Sequence, residues 1–400
     1  MAQAAFEFSP SPDLATGNRP VGVTGPAATG PIDTAETCGL DRTGFQIGWD
    51  HAHYRVTPPL RHLDGHNPVG QGWMAGRAAF GARCLRATTA VRQWLALRLQ
   101  AWQQGAVFEE VQVNPAFLAR IDTGQCPVSR GPLTLYAALD SDATVARLNP
   151  AAAYAAGNLA VISQQVAGAW AQAGGGSDWQ AAMAQAERLA SGDAGEAGTL
   201  LGLAHAAWLR LAVLASFTTP LPHAQAALLP LRVLPPNRVR VINPVQALQV
   251  MLTLQFSQAG YARRLLGLAA LMPSGEARQA FQIFMHTLLA RRLAVGTAPT
   301  PLQLRQAMED TWGDALINRR WQRLATWLTA ADCEQLLQRA SQRGLVVGGS
   351  RWLSRESAIE GWALDQAVAG SGAVRPGSTR SRGSQKLANC AGLTTSGSRQ

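Results

Sequence analysis

Four of the seven histidines, His51, His53, His62 and His66, fall close together with Asp50 and Asp64 in the run DHAHYRVTPPLRHLDGH. Imidazole nitrogens and carboxylate oxygens are ligands for zinc and other transition metals, and three imidazoles with one carboxylate would complete a site. His51 and His53 would share one face of a strand, and His62 and His66 one face of a helical turn. The spacing fits no established metal signature, and Pro58-Pro59 interrupts it. The run therefore reads first as a surface loop and second as the divalent-metal site of a hydrolase. A second set of residues is basic: Arg263-Arg264, Arg291-Arg292, and Arg319-Arg320 with Arg323, the last interleaved with Trp321 and Trp327. A basic helix face with aromatics can track phosphates and stack bases. The competing expectation is that one arginine of each pair lies along the core while the other meets an acid such as Glu309 or Asp332. Glu109-Glu110 are adjacent and do not share a helix face, so they are no acid/base pair by spacing. No phosphate-binding glycine loop, serine-nucleophile elbow or H-E-x-x-H pair is present.

The third set is the stretch Cys126–Trp170, which reads CPVSRGPLT and then DSDATVARLNPAAAYAAGNLAVISQQVAGAW. Gly157-Asn158 suits a turn that needs φ > 0, with the Asn side chain tying the loop to the strand. Val145, Arg147, Leu148, Asn149, Tyr154, Gly157, Asn158, Leu159, Val161 and Ser163, after the Cys126-Pro127-Val128 start, make this segment resemble a branch of the HNH (ββα-metal) endonucleases. The resemblance covers about 45 residues and implies a β-hairpin and helix that clamp one divalent metal for attack on a phosphodiester. It also implies that the metal-binding Asp position is Ala146, the general-base position is Arg147, and the helix Asn position is Ala167. A methyl group has no ligand atom, so the implied module is degenerate and without nuclease activity. Asp140 and Asp142 are the nearest carboxylates, upstream in an expected loop. The resemblance gives Arg147 a phosphate contact and gives Cys126, Tyr154, Gly157 and Asn158 structural roles.

Hydrophobic periodicity supplies the elements that must hold these residues. Residues 1–44 are rich in Pro, Gly, Ala and Thr and read as a disordered arm, and residues 45–123 as an N-terminal helical region. Val91, Trp94, Leu95, Leu97, Leu99 and Trp102 recur at helical spacing, and Asn114-Pro115 is a cap followed by Pro at the first helical position. Residues 124–172 form the small α+β module, and Gly174-Gly175-Gly176-Ser177 and Gly192–Gly198 read as breaks. Residues 177–366 read as a C-terminal helical domain with helices over 199–217, 244–258, 260–272, 275–295, 302–329 and 331–342. Leu231–Ile242 is expected to be a hairpin or an extended connector because of Pro235-Pro236. The expected fold class is mainly α, helical domains with a small α+β, ββα-like insert.

The 400 residues carry 35 Lys+Arg against 25 Asp+Glu, a net charge of +10, with 47% hydrophobic residues. That apolar fraction excludes wholesale disorder. Lys386 is the one lysine; with abundant alanine, this is the composition of a GC-rich genome. The tail 367–400 holds Arg375, Arg380, Arg382, Lys386 and Arg399 and no acid, which is half the net charge. The five cysteines, Cys38, Cys84, Cys126, Cys333 and Cys390, form no C-x-x-C pair and suit reduced thiols. Met1 to Pro31 lacks a secretory pattern, and His205 and Arg210 interrupt the apolar run Thr199–Phe217, so a cytoplasmic protein without a membrane partner is expected. The leading functional expectation is a divergent, catalytically inactive HNH-like protein that binds DNA or RNA. The alternatives are a helical interaction protein with a relict ββα segment and a metal-dependent hydrolase using His51–His66. No cofactor is expected beyond the divalent metal of that last alternative.

Overall fold

The computed structural model describes residues 34–173, 178–192, 198–296, 298–347, 353 and 355–364. The basic tail, residues 1–33, the Gly174–Ser177 stretch and most of the 192–198 break lie outside the described residues. The fold is mainly α with a small α+β part. Four helices come first: α1 (Thr34–His53), α2 (Pro68–Phe80), α3 (Thr89–Gln103) and α4 (Pro115–Ile121). Strands β1 (Ala143–Arg147) and β2 (Leu159–Ser163) and helices α5 (Gln164–Gln172) and α6 (Trp179–Ala190) follow. A two-residue hairpin, β3 (Thr199–Leu200) and β4 (Leu203–Ala204), leads into α7 (His205–Ser216), α8 (His223–Leu228) and α9 (Pro244–Leu254). The chain continues through α10 (Tyr261–Ala269), α11 (Gly275–Ala294), α12 (Pro301–Thr311), α13 (Ala315–Ala325), α14 (Ala330–Gln342) and the short α15 (Arg355–Ala358).

Several boundaries differ from the sequence expectation. Residues 34–44 belong to α1 rather than to an unstructured arm, and α1 carries His51 and His53 into a helix instead of a strand. The apolar run from Thr199 opens with a hairpin, its corner made by Leu201 and Gly202 at positive φ, before α7 begins. The expected 302–329 helix is two helices separated at Gly313, where the chain turns through a Gly313 N–H bond to Asp310 O. Leu231–Ile242 is an extended, mostly buried connector without a strand pair. Local caps follow the sequence closely. Asn114 Oδ1 accepts from Phe117 N at 3.0 Å, and Thr300 and Thr329 each open a helix with a reciprocal capping box. Asn243, although followed by Pro244, does not cap; its amide is drawn instead to Ser216 O and Thr219 O, and its Oδ1 accepts from Leu221 N.

The main core runs from Cys126 to Val347. At its centre is α9, in which every residue from Val245 to Leu254 is buried. A helix apolar all round belongs in a core, and its polar side chains must then find partners. Gln246 Nε2 donates to Ser216 Oγ, Gln249 Nε2 to Leu229 O, and Thr253 Oγ1 accepts from Trp312 Nε1 at 3.1 Å. Phe284, Trp312 and Trp321 pack mutually at 5.7 Å between ring centroids. No helix among the described residues is long and apolar enough to cross a membrane.

Helices α1 and α2 touch backbone to backbone. Gly44 and Gly48 on α1, and Gly72 and Gly76 on α2, are each four residues apart and so lie on one face. A Cβ on Gly48 would stand 1.9 Å from Val69 O, and one on Gly72 would stand 1.9 Å from Phe45 O. The obstacle is main chain, which cannot swing aside, so the helices would have to separate. Gly72→Ala is expected to destabilise the protein by about 3 kcal/mol, against a small change for Gly168→Ala, where a Cβ meets nothing within 4 Å. Urea unfolding of both variants checks this; equal midpoints would refute it.

Candidate functional site

The residues singled out between Cys126 and Trp170 fold as an antiparallel hairpin followed by a helix. Arg147 pairs with Leu159 and Val145 with Val161 across β1 and β2, and Ser163 Oγ caps α5 by accepting from Val166 N. The eleven-residue connection between the strands closes on Asn158. Its Oδ1 accepts from Asn149 N at 2.8 Å, and its Nδ2 donates to Asn149 O at 3.0 Å and Ala153 O at 2.9 Å. The side chain is fully buried with both polar ends bonded, the condition under which a buried amide stabilises. Gly157 precedes it at φ +90°, and a Cβ there would lie 2.4 Å from Arg240 Cδ. Arg240 N donates to Gly157 O, and its guanidinium reaches Ala358 O and Gln112 Oε1. Burial pulls the Arg240 pKa below its ordinary value, with the charges of Glu360 and Glu109 opposing.

Arg147 ends β1 with its guanidinium stacked on the Tyr154 ring, 4.6 Å from the centroid, and donates to Ala152 O at 3.3 Å. Burial lowers its pKa, with Tyr154 opposing. The Tyr154 hydroxyl donates to Gln104 Oε1 at 2.8 Å, and its backbone pairs with Val107 and Glu109. Cys126 is buried, and its Sγ accepts from Ser163 N and Ser129 N. Ala146 and Ala167 both pack their methyls against the main core. Asp142 does not replace them: its carboxylate is taken by Thr134 Oγ1 and by the amides of Ala137 and Leu139, which hold it below the usual carboxylate range. The donor set therefore does not fit the divalent metal that the resemblance implies.

The histidine run does not converge. His51 and His53 are two residues apart on a helix, about 200° around its axis. His51 is buried and donates from Nδ1 to Ile47 O at 2.8 Å, while His53 lies edge-on to Phe80. His62 Nε2 accepts from Arg61 Nε at 3.0 Å, and His66 is exposed on the following turn. Among the described residues no group of three or more His, Cys, Asp or Glu side chains is placed to hold a metal. Asp50 turns instead to the buried Arg98, which also pairs with Glu110 at 2.7 Å and lies over Trp94.

The arginine doublets take separate roles. Arg264 wraps back onto the carbonyls of Gln255, Gln258 and Ala259, and Arg291 pairs with Asp314. On α13, Trp321 is buried in the aromatic cluster and Arg320 is half-buried, but Arg319 and Arg323 are exposed. Trp327, four residues beyond Arg323, is 45% exposed. Neither guanidinium, Arg319 nor Arg323, makes an ion pair among the described residues. Asp332 completes the α14 capping box by accepting from Thr329 N, and Glu309 serves arginines outside the doublets, Arg130 and Arg305.

The chain matches no protein-family model, no curated protein and no solved structure.

Sequence reasoning missed the group around Glu309 and Asp310, because Arg130, Arg210, Arg232 and Arg305 reach it from separate parts of the chain. Arg98 with Asp50 and Glu110 was missed for the same reason. The only signal was a carboxylate pair inside an otherwise amphipathic helix.

Burial lowers the pKa of His51, with its Ile47 bond and Asp50 opposing and Arg98 adding to the shift; burial and Arg61 lower that of His62. Each folded pKa is below the unfolded one, so neutral imidazole stabilises above about 6.5, and that contribution is lost as pH falls through the folded value. Urea midpoints are expected to drop between pH 7 and pH 5, and His51→Gln should flatten the drop. An unchanged wild-type midpoint over that interval would contradict this.

Proposed function

We propose that this chain is a catalytically silent, HNH-like protein that binds nucleic acid. The observation that carries the reading is the exposed pair Arg319 and Arg323 on α13, two guanidiniums without an ion pair among the described residues, followed by the exposed Trp327 in the turn just beyond the helix. Arg319 and Arg323, four apart, share a face of α13 and offer charge for phosphates, and the exposed Trp327 offers a ring for stacking. The hairpin adds Arg147, oriented by Tyr154, for a phosphate contact. The alanines at 146 on β1 and 167 on α5 supply no ligand atom at the two positions where the resemblance implies one, which supports binding without cleavage. The free thiols of Cys84, Cys126 and Cys333 suit a reducing compartment, and the reading takes the protein as cytoplasmic.

A second reading, a helical protein-interaction module, is favoured by one feature. Leu135, Tyr136 and Leu139 are exposed on the loop before β1, where the Asp142 carboxylate accepts from Ala137 N and Leu139 N and Tyr136 and Ala138 stand at positive φ.

Titration of the full chain with a fluorescent single strand across salt separates the two. Binding at low salt is expected, and the double variant Arg319→Gln/Arg323→Gln should lower the slope of log K against log salt by about 0.7 for each phosphate that the variant no longer neutralises. Trp327→Ala should weaken binding by about 1–3 kcal/mol with little change in slope. No binding at low ionic strength would remove this reading and leave the interaction module. Incubation of duplex DNA with magnesium or manganese is expected to leave it intact; cleavage that tracks the purified protein would overturn catalytic silence.

A further inference from the structure

Four arginines surround two carboxylates at the end of α12. Arg130 sits on the turn after Cys126 at φ +63°, with both terminal nitrogens 2.8 Å from the Asp310 carboxylate and one also 3.1 Å from Glu309. Arg305 donates to Glu309 at 3.2 Å and to the carbonyls of Leu234 and Pro235. These two arginines satisfy the two acids. Two more guanidiniums remain. Arg210, on α7, donates to Val128 O and holds its other terminal nitrogen 3.7 Å from Asp310, beyond hydrogen-bond length. Arg232, from the connector, lies over Gly313, where its terminal nitrogen would be 2.2 Å from a Cβ. Its side chain makes no hydrogen bond among the described residues.

The cluster thus carries two positive charges more than negative. Arg210 is largely buried, with side-chain exposure of 12%, while Asp310 is 53% exposed and opens the group to solvent. Burying cations is costly, and Arg130 repels both Arg210 and Arg232 while Asp310 attracts both, so one carboxylate is shared among three guanidiniums. A dianion would cancel the excess, and the planar forks of arginine match phosphate oxygens. We propose that Arg210 and Arg232, in the field of Arg130, bind a dianionic phosphate group, either inorganic phosphate or the end of a phosphate monoester, with Asp310 as the internal carboxylate that competes for the same donors. A phosphate monoester carries about −1.5 to −2 at pH 7, which suits a cluster with two positive charges in excess better than a singly charged diester does. The site is independent of the α13 arginines.

Calorimetric titration and thermal unfolding of the full chain with sodium phosphate, against sodium chloride at equal ionic strength, test this. Phosphate is expected to raise the unfolding temperature more than chloride does. Arg232→Gln should weaken phosphate binding about tenfold, the size expected for one charge-assisted contact, and Arg263→Gln, at an exposed arginine elsewhere, should not. Asp310→Asn removes the competing carboxylate and should tighten binding by a similar factor, a gain that a purely structural ion-pair cluster would not give. Competition by a 5′-phosphorylated but not a 5′-hydroxyl oligonucleotide would identify a polynucleotide end as the source; failure of both to compete would identify the free anion. Equal responses to phosphate and chloride, wild-type affinity in Arg232→Gln, or unchanged affinity in Asp310→Asn would overturn the proposal.

Discussion

Leu159 and Val161 face one core, with α3 and α4, while Ala160 and Ile162 face the main core on the other side of the same strand. Side chains alternate along a strand, so a slip of one residue in β2 would turn each side chain from one core to the other. The ends of the strand prevent that slip. Asn158, immediately before it, is bonded to Asn149 and Ala153, and Ser163, at its last position, caps α5. Arg240 adds a second restraint by lying against Gly157 and joining the hairpin to Gln112 on one side and Ala358 on the other. The helices on either side of the hairpin take their positions from this buried strand.

The same restraints set what the hairpin can do. Its loop side chains are spent on holding the turn: Asn149 donates to Thr218 O and accepts from Ala151 N, and Asn158 has no free polar atom. Arg147 keeps a charge, but Tyr154 and Ala152 O fix its direction. The proposed nucleic-acid contacts therefore combine one oriented cation at the hairpin with longer, exposed ones on α13. Net charge alone identifies neither, because half of it lies in the tail and the rest divides between pairing, capping of carbonyls and exposure.

Much of the fold was legible because it depends on local chemistry. Apolar spacing marked α9, α11 and α14 and, as one helix instead of two, α12 and α13; Asn114-Pro115 marked the start of α4, and Gly157-Asn158 marked a turn that lies at positive φ. Where local signals competed with packing, packing prevailed. Asn243 abandoned its cap for buried carbonyls, and the break at Gly313 divided a continuous apolar pattern at a position where Arg232 and the α12 end leave no room for a side chain.

The sequence by itself determined the helical class, the caps, the hairpin turn and the lack of ligand atoms at Ala146 and Ala167, since each depends on residue type or on neighbours within a turn. Only the tertiary structure decided that Trp321 is core while Trp327 faces solvent, that the four histidines diverge, that Gly48 and Gly72 bring two backbones together, and that Arg130, Arg210, Arg232 and Arg305 gather around one helix end. Those outcomes depend on contacts between residues as far as 180 positions apart. Side-chain burial and charge balance at such distances are set by how the chain closes on itself, which no local spacing encodes.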